Sequence, residues 1–116
     1  MKRALVVGHA SRARQAAEAL AAGGREALAW DGAPEEAWEP GSSAMLARCL
    51  VALEEALERD PPAVVVVADD SDAALAATLV ASKLLIPVEI ADESGAGESV
   101  NARLISQLAG AYTGRQ

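Results

Sequence analysis

The residues whose types could do chemistry fall in two short segments. His9, Ser11, Arg12 and Arg14 occupy the first, and Asp69, Asp70 and Asp72 the second. His9 is the single histidine, and an imidazole titrates near neutrality, so it is a candidate acid or base. The commoner use of such a loop histidine is bonding to backbone or water. Ser11, Arg12 and Arg14 open a helical stretch, where free N–H groups and guanidinium charge could hold a phosphate or carboxylate. Solvated arginines on an acidic protein are the plainer reading, and both stay open. Carboxylates at a helix start are favoured by the helix dipole and by capping, which is structural work. Crowded like charges also raise a pKa, and a general acid or base is tuned that way. Three such groups could hold Mg²⁺, but the spacing does not require it, so no metal and no cofactor is expected.

The elements that must position these residues alternate between two periods. Ala4–Val7 is a short apolar run ended by Gly8, the pattern of a strand buried on both faces. Ala13, Ala16, Ala17 and Leu20 then recur as one face of a helix that Gly23-Gly24 stops. Ala27–Trp30 reads as a second strand. Asp31–Gly41, rich in Gly, Pro and Glu and carrying Trp38, reads as a surface loop. Ser42 or Ser43 caps a helix with Leu46, Leu50, Leu53 and Leu57 on one stripe, which also takes in Cys49 as core. Pro61-Pro62 ends it. Ala63–Ala68, with four consecutive valines, is a strand, and Asp70 or Ser71 caps the helix that follows to about Leu85. Pro87–Ala91 is the fourth strand. Val100, Leu104 and Leu108 predict the core stripe of a last helix, with Gly110 as its stop.

Four strand–helix repeats call for an α/β fold: a four-stranded parallel sheet, order 2-1-3-4, with helices on both faces, a Rossmann-like three-layer sandwich. Ligands on such sheets bind beyond the strands' carboxyl ends, where the winding reverses. That point lies between Gly8-His9-Ala10-Ser11 and Ala68-Asp69-Asp70-Ser71, so Gly8, His9, Ser11, Arg12, Asp69 and Ser71 form the expected ligand-binding set. Only Gly8 is present where a dinucleotide fold has Gly-x-Gly-x-x-Gly, so Asp31 is a weak ribose acid.

The 116 residues fit one domain, expected over 1–112 with 113–116 a frayed tail. A net charge of −7 argues against nucleic acid, whose phosphates need a basic face. No apolar run approaches the roughly 20 residues that cross a bilayer, and the Met1–Gly8 start is too short for a signal peptide. One cysteine gives no internal disulfide framework, so the expectation is a cytoplasmic domain. With 28 alanines, helices can pack closely. The helix Ser71–Leu85 is apolar around most of its circumference, which predicts a homo-oligomer through that helix.

Residues 62–108 also carry a familiar succession of motifs. Val64-Val65-Val66-Val67-Ala68-Asp69-Asp70-Ser71, an alanine-rich helix, and Leu85-Ile86-Pro87-Val88 are followed by Ala91-Asp92-Glu93-Ser94-Gly95 and Gly97-Glu98-Ser99-Val100-Asn101. This resembles the amino-terminal half of the non-hydrolysing UDP-N-acetylglucosamine 2-epimerases, two-domain proteins of GT-B architecture. The family has Gly-Asp-Thr, Gly-Ile-Pro-Val, Glu-Ala-Gly-Leu-Arg and Pro-Glu-Glu-x-Asn-Arg in that order. The resemblance implies catalytic roles for Asp70, Asp92 and Glu98. It also departs from the family: Ala10 replaces the first-turn arginine, Ser99 replaces the second glutamate, and Gly-Leu-Arg is lost. The family's carboxyl-terminal, nucleotide-binding domain has no counterpart in these residues.

The expectation is therefore a stand-alone half-domain acting by binding or assembly and not catalytic alone. One alternative is a carboxylate-supplying subunit of a split nucleotide-sugar epimerase or glycosyltransferase, completed by a separate nucleotide-binding chain. Another is a small binder of a nucleotide or phosphorylated metabolite at the His9–Arg14 loop.

Overall fold

The structure, a computed structural model, describes residues 3–31, 43–91 and 99–113. Its elements run β1 (Arg3–Val7), α1 (Ala10–Ala22), β2 (Glu26–Ala29), α2 (Ser43–Arg59), β3 (Val64–Val67), α3 (Asp72–Lys83), β4 (Val88–Ile90) and α4 (Val100–Thr113). The sheet is parallel throughout, in the order β2-β1-β3-β4. Helices cover both faces, as four strand–helix repeats require. Expected Asp92 and Glu98, the loop with Trp38 and the end of the tail lie outside the described residues.

β1 and β3 are central, and Leu5 pairs with Val65 and Val7 with Val67. Successive side chains in a strand alternate between faces. Val7, Val65, Val67 and Val88 join Leu53 and Leu57 of α2, the alanines of α3, and Ile105 and Ala109 of α4. Ala4, Val6, Val64 and Val66 instead pack on α1 through Ala13. Three helices thus lie on one face and one on the other. Leu53 and Leu57 are wholly buried, each contributing about 1.5–3 kcal/mol.

α3 is sunk between α2 and α4, with every residue from Asp72 to Thr78 buried, and then Val80 and Ala81. Most of the apolar circumference that suggested an intermolecular contact through Ser71–Leu85 is covered within the one chain, with Leu79 and Leu84 half-buried and Leu85 exposed. Thr78 is buried too, and its Oγ1 donates to the Ala74 carbonyl at 2.9 Å, so the hydroxyl needs no outside partner.

α4 departs from its expected stripe. Ala102, Ile105 and Ala109 are buried, whereas Val100 and Leu104 are exposed. At its start Asn101 is tied to α3, which matches the rotation that turns Ala102, Ile105 and Ala109 inward. The helix also runs through Gly110 to Thr113. One glycine inside a helix costs only about 1 kcal/mol relative to alanine, too little to force a stop.

Helices α1 and α3 end alike. Arg25 N–H bonds the Leu20 carbonyl and Gly24 N–H that of Ala21. Ile86 and Leu85 repeat this pattern on Ala81 and Ser82. The pivot residue is left-handed in both, with φ 92° at Gly24 and 63° at Leu85. Glycine adopts this freely and leucine does not, at a cost of about 1–2 kcal/mol. Leu85 is 74% exposed, so little burial offsets the strain. Leu85→Gly is expected to raise stability by up to about 1 kcal/mol, after the greater chain entropy that glycine adds to the unfolded state. A raised urea midpoint at unchanged slope would show it, and a lowered midpoint would mean that the side chain contributes where exposure says it cannot.

Candidate functional site

Because β1 and β3 are neighbours, the loops that leave them meet. Gly8 is buried where they cross, and a Cβ there would lie 3.1 Å from the Ala68 Cβ and from both Asp69 carboxylate oxygens. Asp69, itself buried, uses this close approach. Its Oδ2 accepts the His9 backbone N–H at 2.7 Å, and its Oδ1 accepts that of Ser71 at 3.1 Å. One carboxylate therefore pins the residue before α1 and the residue before α3. Ser71 in turn is the N-cap of α3, its Oγ accepting from Ala74 N–H at 3.2 Å. Ser11 Oγ lies 3.3 Å from His9 Nδ1 on the exposed rim.

A second cluster joins α3 to α4. Ser99 Oγ donates to Asp70 Oδ2 at 2.7 Å and accepts Ala102 N–H at 3.0 Å, the bond of a helix cap. Asn101 Nδ2 donates to the Asp70 carbonyl at 3.1 Å and to Asp72 Oδ1 at 2.9 Å. Asp72 is buried, and its Oδ2 has no hydrogen-bond partner among the described residues. Cys49 is wholly buried, as its helical stripe requires. Burial pushes its thiol pKa up, the charge of Asp72 raises it further, and Arg48 pulls it down.

The expected site residues thus divide. Gly8, His9, Ser11, Asp69 and Ser71 meet at the β1–β3 junction, while Asp70 turns towards α4. Arg12 lies to the side of α1, in an open groove of about 610 Å³ whose wall includes Gln15, Leu20, Ala68, Glu89 and Ala91. No acidic residue occupies the first turn of α1, and among the described residues Arg12 has no ion-pair partner. No group of three or more His, Cys, Asp or Glu among the described residues could hold a metal ion. No helix among them is long and apolar enough to cross a membrane.

Ser99 and Asn101 received no role from sequence. The signal for Ser99 was present, because a serine three residues before Ala102 at the start of a helical stretch is a capping pattern. Asn101 gives no such local sign, since its partners lie about thirty residues away.

No family model and no curated protein matches the sequence. Solved structures do match in fold. The S. aureus MnaA–UDP co-structure superimposes with a TM-score of 0.72 at 20% identity, covering 94% of this chain and 36% of that one. Methanocaldococcus jannaschii UDP-GlcNAc 2-epimerase in complex with UDP-GlcNAc and UDP gives 0.66 at 21%, covering 94% and 39%. The structure of UDP-GlcNAc 2-epimerase from the same organism gives 0.63 at 20%, covering 94% and 38%. The chain therefore spans little more than a third of the length of each. The fold implied by the sequence resemblance is the fold observed.

Removing the clamp should cost more than removing the exposed acid. Each hydrogen bond to a charged acceptor contributes about 1.5–3 kcal/mol, so Asp69→Ala is expected to lose about 2–4 kcal/mol, with faster amide exchange at His9 and Ser71. Asp70→Ala, partly exposed, should lose no more than about 1 kcal/mol. Equal losses in urea denaturation would remove the clamp from the account.

The Cys49 thiol should resist thiol reagents until the protein unfolds. With its pKa raised in the folded state, the native protein holds the thiol proton more tightly. Its stability should then fall as pH rises through the ordinary thiol range. Rapid labelling of the native protein, or stability rising with pH across that range, would contradict the burial.

Proposed function

We propose that this chain is a binding and assembly domain built on an epimerase-like half-fold, with no epimerase chemistry of its own. One observation carries the reading: the strand-end carboxylates already have internal work. Asp69 gives both oxygens to backbone donors, Asp72 is buried against Asn101, and Asp70 is held by Ser99. A general base must reach the proton that it removes, and two of these three cannot leave the interior to do so. Ser99, which stands where the resemblance puts the family's second glutamate, donates to Asp70 instead of offering a carboxylate.

The solved relatives hold UDP, or UDP-GlcNAc and UDP. The ligand class that fits this reading is a nucleotide or nucleotide sugar shared with a separate nucleotide-binding chain. In the split-enzyme form of the same idea, Asp70, Asp92 and Glu98 would supply carboxylates to that chain. A second reading rests on the groove beside α1. Arg12 and Gln15, one turn apart in a groove whose opposite side includes Glu89, suit a small phosphorylated metabolite bound without any partner.

Purified protein incubated with UDP-GlcNAc in D₂O is expected to place no deuterium at the sugar C2, and its appearance would overturn the non-catalytic reading. Titration calorimetry with UDP separates the rest. No heat from the chain alone supports the shared site, whereas binding that Arg12→Ala abolishes supports the groove.

A further inference from the structure

A helix is about 10 Å wide and neighbouring strands lie about 4.8 Å apart, so one helix covers two strands. The sheet face that carries α1 has four strands and, among the described residues, that one helix. Beyond α1, on the β3–β4 side, this leaves the groove of about 610 Å³. Arg12, Gln15, Ala16 and Ala19 recur at i, i+3, i+4 and i+7 and form its wall on α1, with the polar groups at the amino-terminal end. Val66 and Ala68 line the base, and Glu89 stands on β4 opposite α1. Glu89 also lines a second hollow of about 620 Å³, towards the strands' amino ends, and shares it with Arg25. From that side Arg25 donates to Glu89 Oε1 at 3.2 Å. The Glu89 carboxylate therefore sits between two hollows, with one oxygen engaged and its side chain 45% exposed.

Resting on the reading of this groove as a site for a phosphorylated metabolite, we infer that its ligand is a phosphate monoester with an amine at the far end of a short apolar spacer. The Arg12 guanidinium, beside Gln15, presents a fork of donors to the phosphate, and no ion pair among the described residues competes for it. Glu89 lies across the groove from that charge. A plain anion held at Arg12 meets a like charge there, whereas an ammonium carried at its other end meets an opposite one. Arg25 does not cancel this attraction. A half-exposed pair with a single contact is weak, and the carboxylate keeps a second oxygen for another cation. Between the two charges, Ala16, Ala19, Val66 and Ala68 offer no side-chain hydrogen bond. Methylenes lose nothing against such a surface, while a hydroxyl-rich spacer would give up its water without replacement. The volume suits a small molecule of this kind.

Linear ω-aminoalkyl phosphates of graded chain length, titrated against alkyl phosphates of the same lengths, test it through amide chemical shifts of the purified chain. The amine series should bind about fivefold more tightly at its best length, with shifts at Gln15, Ala68 and Ala91. Its affinity should pass through a maximum as the chain grows, because only one length spans Arg12 and Glu89. Glu89→Gln keeps an acceptor for Arg25 but removes the charge, and should bring the ratio of the two series to about one. Arg12→Ala should weaken both series about tenfold or more. Both variants alter partly or fully exposed side chains, and their thermal unfolding midpoints check that the fold is kept. Equal affinity of the two series at every length, lost in Arg12→Ala, would overturn the amine and leave a plain phosphate groove. A preference that survives Glu89→Gln would overturn it as well. Absence of binding by either series at millimolar concentration would overturn the groove reading and the inference together.

Discussion

The site residues at the β1–β3 junction take their positions from the carboxylate of Asp69. Its two oxygens accept backbone N–H groups from two loops that are far apart in sequence, one before α1 and one before α3. Charge-assisted bonds of this kind are roughly twice as strong as neutral ones, and this one is buried, where the field is poorly screened. The arrangement has strict preconditions. β1 and β3 must be adjacent and parallel, and a Cβ at residue 8 would push on the same carboxylate and force it to give by a few tenths of an ångström. A ligand-binding role for Asp69 would compete with this duty. What the loops can offer a ligand is their rim, namely His9, Ser11 and Arg12.

Asp70 and Asp72, next to this clamp, extend the same logic across to α4. Their partners, Ser99 and Asn101, fix where α4 begins and how it is rotated. The rotation places small residues, Ala102 and Ala109, against the core together with Ile105, and leaves Val100 and Leu104 outside. Polar anchoring at the start of the helix accompanies a rotation that buries Ile105 but leaves Val100 and Leu104 outside. The desolvation that this avoids is real, because a buried Asp72 without Asn101 would lose its only donor among the described residues.

Strand order and most element boundaries, the end of α4 excepted, were legible because they rest on local pattern. Four valines in a row, a helical stripe ending at Gly23-Gly24 and a serine before α3 each carry their own physical signature. The meeting of His9 with Asp69 followed from the order alone, as adjacent parallel strands deliver their following loops to one place. The division of the cluster was not legible, because whether Asp70 turns towards His9 or towards Ser99 depends on a helix that begins some thirty residues later. Covering of α3 was illegible for a related reason. Composition gives the apolar circumference of a helix, but only packing decides how much of it two neighbours can enclose, and alanine lets them enclose nearly all.

The boundaries of the sheet and of the helix layer are finished differently, and this bears on how such a half-fold meets other protein. Edge strand β4 has three residues. Its one side chain on the α1 face is Glu89, held at 3.2 Å by Arg25 from the far end of α1. The ion pair is half exposed and contributes little to stability, about 0–1 kcal/mol. Its effect lies elsewhere, since a short edge strand carrying a charge discourages another strand from pairing with it. The helix layer has no equivalent protection on α4, where two large apolar residues meet water. The β4 edge is thus closed by charge, while edge strand β2 presents exposed Leu28. Strand addition at β4 would require desolvating Glu89 and breaking its bond to Arg25, a cost that edge strand β2 does not impose.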